Sequence, residues 1–127
     1  MAVRAPAVNN DVSKDMAVRA VTWTGLLNGD TGDWISLAEW SGKSFQISGT
    51  FGVGGSISIQ GSNDPTAPTN AATLSNWQGT ALTATTASFL TARDMPLWVR
   101  PNVTAGDGST NLTCVLAAHR ADIAVAG

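Results

Sequence analysis

The side chains that could do chemistry in this chain are few: one histidine (His119), one cysteine (Cys114), no tyrosine, and nine acidic residues of which only Glu39 is a glutamate. A Ser-His-Asp triad could be drawn from His119, Asp94 or Asp107 and one of many serines. His119, however, stands beside Arg120 at the end of an apolar run, the setting of a solvated strand end, and no nucleophile elbow is present. Zinc would need a set of Cys and His ligands that the chain does not contain. Asn28-Gly-Asp30-Thr-Gly-Asp33 spaces oxygens as a calcium loop does but lacks the closing bidentate glutamate. Gly52-Val-Gly54-Gly55 lacks the Lys-Ser/Thr of a phosphate loop, and Glu39 has no partner carboxylate in a context for glycoside hydrolysis. The expectation is a protein with no catalytic residues, no metal and no cofactor. Cys114, between Leu112 and Leu116 at strand spacing, reads as a small buried hydrophobe.

Tryptophan is the residue type left to explain. Trp23, Trp34, Trp40, Trp77 and Trp98 are more than the core of a small domain needs. Exposed tryptophan is enriched at protein interfaces and sugar platforms, so at least one of the five is expected at an interface.

The charge balance narrows the partners. A net charge of −2, a pI near 5.0 and scattered basic residues argue against a protein that binds nucleic acid through its phosphates. No apolar run approaches the roughly 18 residues of a membrane span, and no secretory leader is expected at the N-terminus. With 13% charged residues and a mean hydropathy of +0.07, the composition suits an all-β domain with Ser/Thr-rich faces.

The elements that must carry these residues are short strands. Ser44–Asp64 (SFQISGTFGVGGSISIQGSND) alternates Phe45, Ile47, Gly49 and Phe51 with polar residues, breaks at Gly52–Gly55, and resumes with Ile57 and Ile59. It reads as a hairpin ended by Gly61-Ser-Asn-Asp64-Pro65. Further strands are predicted over Ala17–Trp23, Trp34–Trp40, Thr80–Thr86, Leu97–Val103 and Ser109–Ala118, with Ala87–Asp94 either a helical turn or a bulged strand. Pro101 confines its strand to a sheet edge or a break, and Ala105-Gly-Asp-Gly108 reads as a tight hairpin turn. Apolar residues on both faces of Ser109–Ala118 point to a central strand. The whole is predicted to be one all-β domain, a jelly-roll-like β-sandwich over residues 17–120. An extended arm, residues 1–16, precedes it and a loose tail, residues 121–127, follows. MAVRA occurs at Met1–Ala5 and again at Met16–Ala20, too short a match for a structural repeat.

Three stretches carry a resemblance. Ser44–Asp64, LSNWQGTALT (Leu74–Thr83) and MPLWVRPNVTAGDGSTNLTCVL (Met95–Leu116) are similar, in order and spacing, to the small β-sandwich proteins that decorate or cement the heads of tailed bacteriophages. The resemblance implies a non-enzymatic virion protein, assembled in the host cytoplasm, that binds the major capsid protein on the outer capsid surface as a homo-oligomer, dimer or trimer. It implies no nucleic-acid or membrane partner. On this basis the candidate capsid or subunit contacts are Arg4, Val8 and Arg19 in and after the arm, and Trp98 and Arg100 in the strand before Pro101. Two other roles fit the same residues: a host-surface or carbohydrate-binding module of the virion, and a tail-tube or adaptor component.

Overall fold

The computed structural model describes residues 2–9, 18–37, 40, 42–66 and 68–119. Among these there is no helix. The strands are β1 (Val3–Arg4), β2 (Ala7–Asn9), β3 (Val18–Leu26), β4 (Thr31–Gly32), β5 (Ile35–Ser36), β6 (Gly42–Thr50), β7 (Ser56–Ser62), β8 (Ala72–Thr73), β9 (Thr83–Ala84), β10 (Ser88–Thr91), β11 (Trp98–Ala105) and β12 (Asn111–His119). They form two packed sheets, the β-sandwich expected from the alternation. The first sheet runs β1-β4-β11-β7-β8, with β5 also on β11 and β9 on β7; the second runs β10-β6-β12-β3-β2.

The core lies between the sheets and is built from the inward half of each alternating strand. Val21, Trp23, Phe45, Ile47, Leu112, Cys114 and Leu116 of the second sheet face Ile57, Ile59, Val99 and Val103 of the first, all at most 1% exposed. Burying each of the larger aliphatic side chains contributes about 1.5–3 kcal/mol against the entropy of ordering the chain. In β3 the inward parity changes between Trp23 and Leu26. A bulge opposite Leu112 and Cys114, with Gly25 at φ 64°, resets the alternation so that both residues reach the core. β12 is central, between β6 and β3, as its two apolar faces predicted.

Several local readings are corrected. Ser44–Asp64 is not a hairpin: β6 belongs to the second sheet and β7 to the first. The glycines of Phe51–Gly55 carry the chain across the sandwich, so Phe45/Ile47 and Ile57/Ile59 meet face to face instead of lying side by side. Gly106–Thr110 likewise joins β11 to β12 across the layers, where the sequence suggested an in-plane turn. Positive φ reverses a chain equally well within a sheet or between sheets, and the turn residues alone do not distinguish the two.

β7 also continues through Gly61 and Ser62, where a turn was expected. A Cβ on Gly61 would stand 2.6 Å from both Leu74 Cδ2 and Pro96 Cγ, so this inward glycine makes room for neighbours instead of ending the strand. Pro101 sits inside the first sheet, with β11 unbroken and flanked on both sides. The Val103 N–H bonds to the Asp30 carbonyl, so the Pro101 nitrogen, two residues back, points to the same side. On that side the neighbouring chain is itself interrupted between β4 and β5, and no donor is needed there. Within the predicted strand Trp34–Trp40, Ile35–Ser36 is in strand and residues 38 and 39 lie outside the described residues, and Thr80–Thr86 reduces to Thr83–Ala84. Ala87–Asp94 resolves into the short edge strand β10.

Residues 2–9 are extended and paired within their own chain. β1 lies parallel to β4 at the edge of the first sheet, and β2 antiparallel to β3 at the edge of the second. The rest of the predicted arm, residues 10–16, and the tail 121–127 lie outside the described residues.

Candidate functional site

Strict alternation along β11 sends Val99, Pro101 and Val103 inward and leaves Trp98, Arg100 and Asn102 on the solvent side of the first sheet. Strand register then builds three cross-strand rows. Trp98 lies between Ser36 and Ser62; Arg100 is followed by Gln60 and Thr73; Asn102 lies between Thr31 and Ser58, with Thr83 beyond. The hydroxyls of Ser58 and Thr83 are 3.1 Å apart and close the third row. Apart from Arg100 these rows are uncharged.

Arg100 is fixed from two directions. Its Nε donates to Gln60 Oε1 at 2.9 Å, and its guanidinium carbon lies 4.4 Å from the centroid of the Trp34 ring. Trp34 comes from the connection between β4 and β5, where its N–H donates to Asp33 Oδ1 at 2.9 Å. Such a stack is worth about 0.5–2 kcal/mol, depending on desolvation. Partial burial pushes the Arg100 pKa down, though guanidinium remains charged at physiological pH. Among the described residues the ion pairs are Arg4–Asp30 and Arg93–Asp94, and Arg100 belongs to neither.

Trp98, half-buried in the next row, uses its Nε1 to donate to the Asp64 carbonyl at 2.9 Å. The Asp64 carboxylate is held by the N–H groups of Asn70 and Thr69 and by the Thr69 and Ser62 hydroxyls, which depress its pKa well below the usual carboxylate range. Beside this loop an open cleft of about 430 Å3 is lined by Asn63, Asn70, Thr73, Asp94, Met95 and Pro96, among others.

The other predicted contacts lie elsewhere. Arg4 bonds through Nε to Asp30 Oδ2 at 3.0 Å, a carboxylate whose residue is only 3% exposed and which also accepts the N–H groups of Ala2 and Leu27. Burial alone would raise the Asp30 pKa; the Leu27 N–H, the Arg4 guanidinium and the Ala2 N–H outweigh it and hold it low. Val8 is exposed on edge strand β2. Arg19 stacks over Trp40 at 4.7 Å and donates to the Ser36 carbonyl at 3.3 Å. Of the five candidates, then, the fold brings Trp98 and Arg100 onto one face and keeps Arg4, Val8 and Arg19 apart from it. Trp34 and Gln60 complete that face without having been singled out. Trp34 was visible only as an unassigned tryptophan, and nothing in the local pattern of Gln60 sets it apart from other outward residues.

The groups considered for chemistry are dispersed. Cys114 is buried and its thiol pKa is pushed far up by burial; His119 is exposed at the end of β12. Among the described residues no three His, Cys, Asp or Glu side chains converge on a metal position, and no helix is long and apolar enough to cross a membrane. Of the tryptophans, Trp23 and Trp40 are in the core, Trp34 and Trp98 are half-buried on the first sheet, and Trp77 is 66% exposed.

No family model matches the chain, and no curated protein does. Among solved structures it is similar to the SPBc2 prophage-derived protein YomS, at 11% identity and a TM-score of 0.59 over 80% of this chain and 93% of that one. A chitosan-binding module from a Paenibacillus sp. IK-5 chitosanase/glucanase gives a TM-score of 0.41 at 16% identity, over 88% of this chain and 73% of that one. The cysteine peptidase Peruvianin-I from Thevetia peruviana gives 0.41 at 14% identity, over 83% of this chain and 52% of that one. The first likeness establishes a shared fold. The other two are too distant to bear on the site.

Proposed function

We propose that this chain is a non-enzymatic structural protein of a bacteriophage particle, one that attaches to the outer capsid surface and stabilises the shell. The observation that carries the reading is the fold shared with a prophage-derived protein across nearly the whole of that protein. The three stretches that resemble phage head-decoration proteins support it from the sequence side.

The physics of the edges is compatible with that role. Edge strands of two or three residues at β1 and β2 offer main-chain groups that another subunit can pair with, which is how β-augmentation works. The solvent face of the second sheet, with Phe89, Gln46, Val115 and Thr22 in one register row, carries no Asp, Glu, Lys or Arg side chain over β6, β12 and β3. Copies meeting there as a dimer or trimer would avoid the cost of burying unpaired Asp, Glu, Lys or Arg side chains. Repetition over a lattice then lets modest single contacts add to firm attachment.

The experiment is co-sedimentation of the purified protein with expanded empty capsids that lack it. Saturable binding at a fixed ratio to the major capsid protein, with a gain in capsid heat resistance, is the expected result. A protein that stays in the supernatant at all ratios would rule this reading out.

A second reading is favoured by the cleft beside Trp98, whose Asn63, Asn70 and Thr73 side chains suit a neutral sugar on a host surface. Glycan-array binding lost on Asn70→Ala would select it.

A further inference from the structure

The geometry points to Arg100 as a carboxylate receptor at the centre of a protein-docking face, with an acidic side chain of the capsid surface as its occupant. The inference rests on the capsid reading and adds to it the residue and the chemistry of contact.

A guanidinium presents five N–H donors. In Arg100 the Nε–H is taken by Gln60, while none of the four N–H groups on Nη1 and Nη2 has a hydrogen-bond partner among the described residues. The Gln60 bond and the contact with the Trp34 ring together hold the guanidinium in place, which lowers the entropy cost of engaging its remaining donors. Among the described residues no carboxylate lies within ion-pair distance of this half-buried cation, so Gln60 and the Trp34 ring offset its desolvation without neutralising its charge. Its row and the two beside it supply Ser, Thr, Asn, Gln and Trp side chains, with the exposed Val3 beyond Thr31, and no carboxylate. What completes the arrangement is an anion that comes from outside and accepts two parallel N–H bonds, as a carboxylate does.

The shape of the site selects a protein over a sugar. Arg100 itself covers a face of the Trp34 ring, which removes that face from stacking against a pyranose. Trp98 is held half-buried by its bond to the Asp64 carbonyl. Tryptophan and arginine, prearranged on a sheet face among uncharged hydrogen-bonding groups, are the composition of a hot spot at a protein interface.

The test compares wild-type protein with Arg100→Gln, Arg100→Lys and the control Arg93→Gln, titrated against empty capsids lacking this chain and against polygalacturonate. Thermal midpoints of all four proteins are measured to confirm folding. Expected are about a 100-fold loss of capsid affinity for Arg100→Gln and a loss of about tenfold for Arg100→Lys, which keeps the charge but not the bidentate edge. Arg93→Gln should bind as wild type, and no variant should bind polygalacturonate. If Arg100→Gln binds capsids as wild type does, the receptor is refuted while the capsid reading stands. If wild-type protein fails to bind capsids, the capsid reading falls and this inference with it. Binding of polygalacturonate that depends on Arg100 would replace the acidic protein side chain with an acidic glycan.

Discussion

Asp107 Oδ2 stands 2.9 Å from the backbone nitrogen of Val53, joining two connections that cross the sandwich at the same end. The Thr110 hydroxyl strengthens the joint by donating to the Phe51 carbonyl at 2.7 Å. A third connection is drawn in where Asn28 Nδ2 donates to the Gly106 carbonyl at 3.3 Å. Gly52, at φ 74°, lies so close to Asp107 and Thr110 that a side chain there would collide with both. One carboxylate thus orders the connections at this end of the fold, beside the packing of Phe51 on the core.

The acid response should follow from it. The Asp107 pKa is lowered to about 2 from 3.8, chiefly by the Val53 N–H and then by the Ser109 hydroxyl and N–H. A depressed folded-state pKa means a contribution that is complete above pH 3.8 and disappears as pH falls to about 2. Urea midpoints measured from pH 7 to pH 2 should therefore drop most steeply in that interval. Asp107→Asn should be less stable than wild type at pH 7, by several degrees in melting temperature, and should fall less over the same interval. An equal acid drop in both proteins would place the titration elsewhere.

Arg4→Ala tests whether Asp30 holds residues 2–9 against the sandwich. The Ala2 carbonyl accepts the Thr31 N–H at 2.9 Å and the Arg4 carbonyl accepts the Asp33 N–H at 2.8 Å, so those two amides report directly on attachment. Removing the guanidinium leaves a nearly buried carboxylate with only the Leu27 and Ala2 donors, at a cost of about 1–3 kcal/mol. Hydrogen exchange should show Thr31 and Asp33 losing protection while amides of β12 keep theirs. Unchanged exchange at both would show that the backbone pairing of β1 suffices.

These relationships also mark how far the sequence could be read. The inward residues were legible because a strand buries every second side chain, and Phe45/Ile47, Ile57/Ile59 and Leu112/Cys114/Leu116 all occupy the core as their spacing predicts. The pairing was not legible, because seven of the eleven connections between successive described strands cross between the layers and glycine-rich turns serve an arch as well as a hairpin. Pro101 misled for a related reason: its missing donor is harmless only because the neighbour is interrupted between β4 and β5, a fact set some seventy residues away. On the candidate face, Trp98 and Arg100 share one strand and could be found together. Trp34 and Gln60 join them only through tertiary register, which leaves no local signal.

Gly61→Ala probes the close approach of three segments. The added methyl would meet Leu74 Cδ2 and Pro96 Cγ at 2.6 Å, and while a leucine methyl can rotate away, the proline ring has little freedom to move. Overpacking of this kind costs about 1–3 kcal/mol. Chemical denaturation should register the loss with an unchanged m-value, since the surface exposed on unfolding stays the same. A neutral result would mean that the Asp94–Pro96 segment yields easily, and the cleft it lines would then be adjustable.

Cys114 supplies a probe of the contact between the two sheets. Its side chain is completely buried in β12, and burial drives the thiol pKa so far up that thiolate is scarce at neutral pH. Reaction with a disulfide reagent must therefore wait for the sheets to separate. Labelling in native buffer should be slower than that of a free thiol by orders of magnitude, and its rate should rise with urea in step with global unfolding. Fast labelling without denaturant would reveal an opening that exposes the centre of the second sheet while the fold persists. Slow labelling that tracks unfolding would instead show that β12 and its neighbours open only with the whole domain.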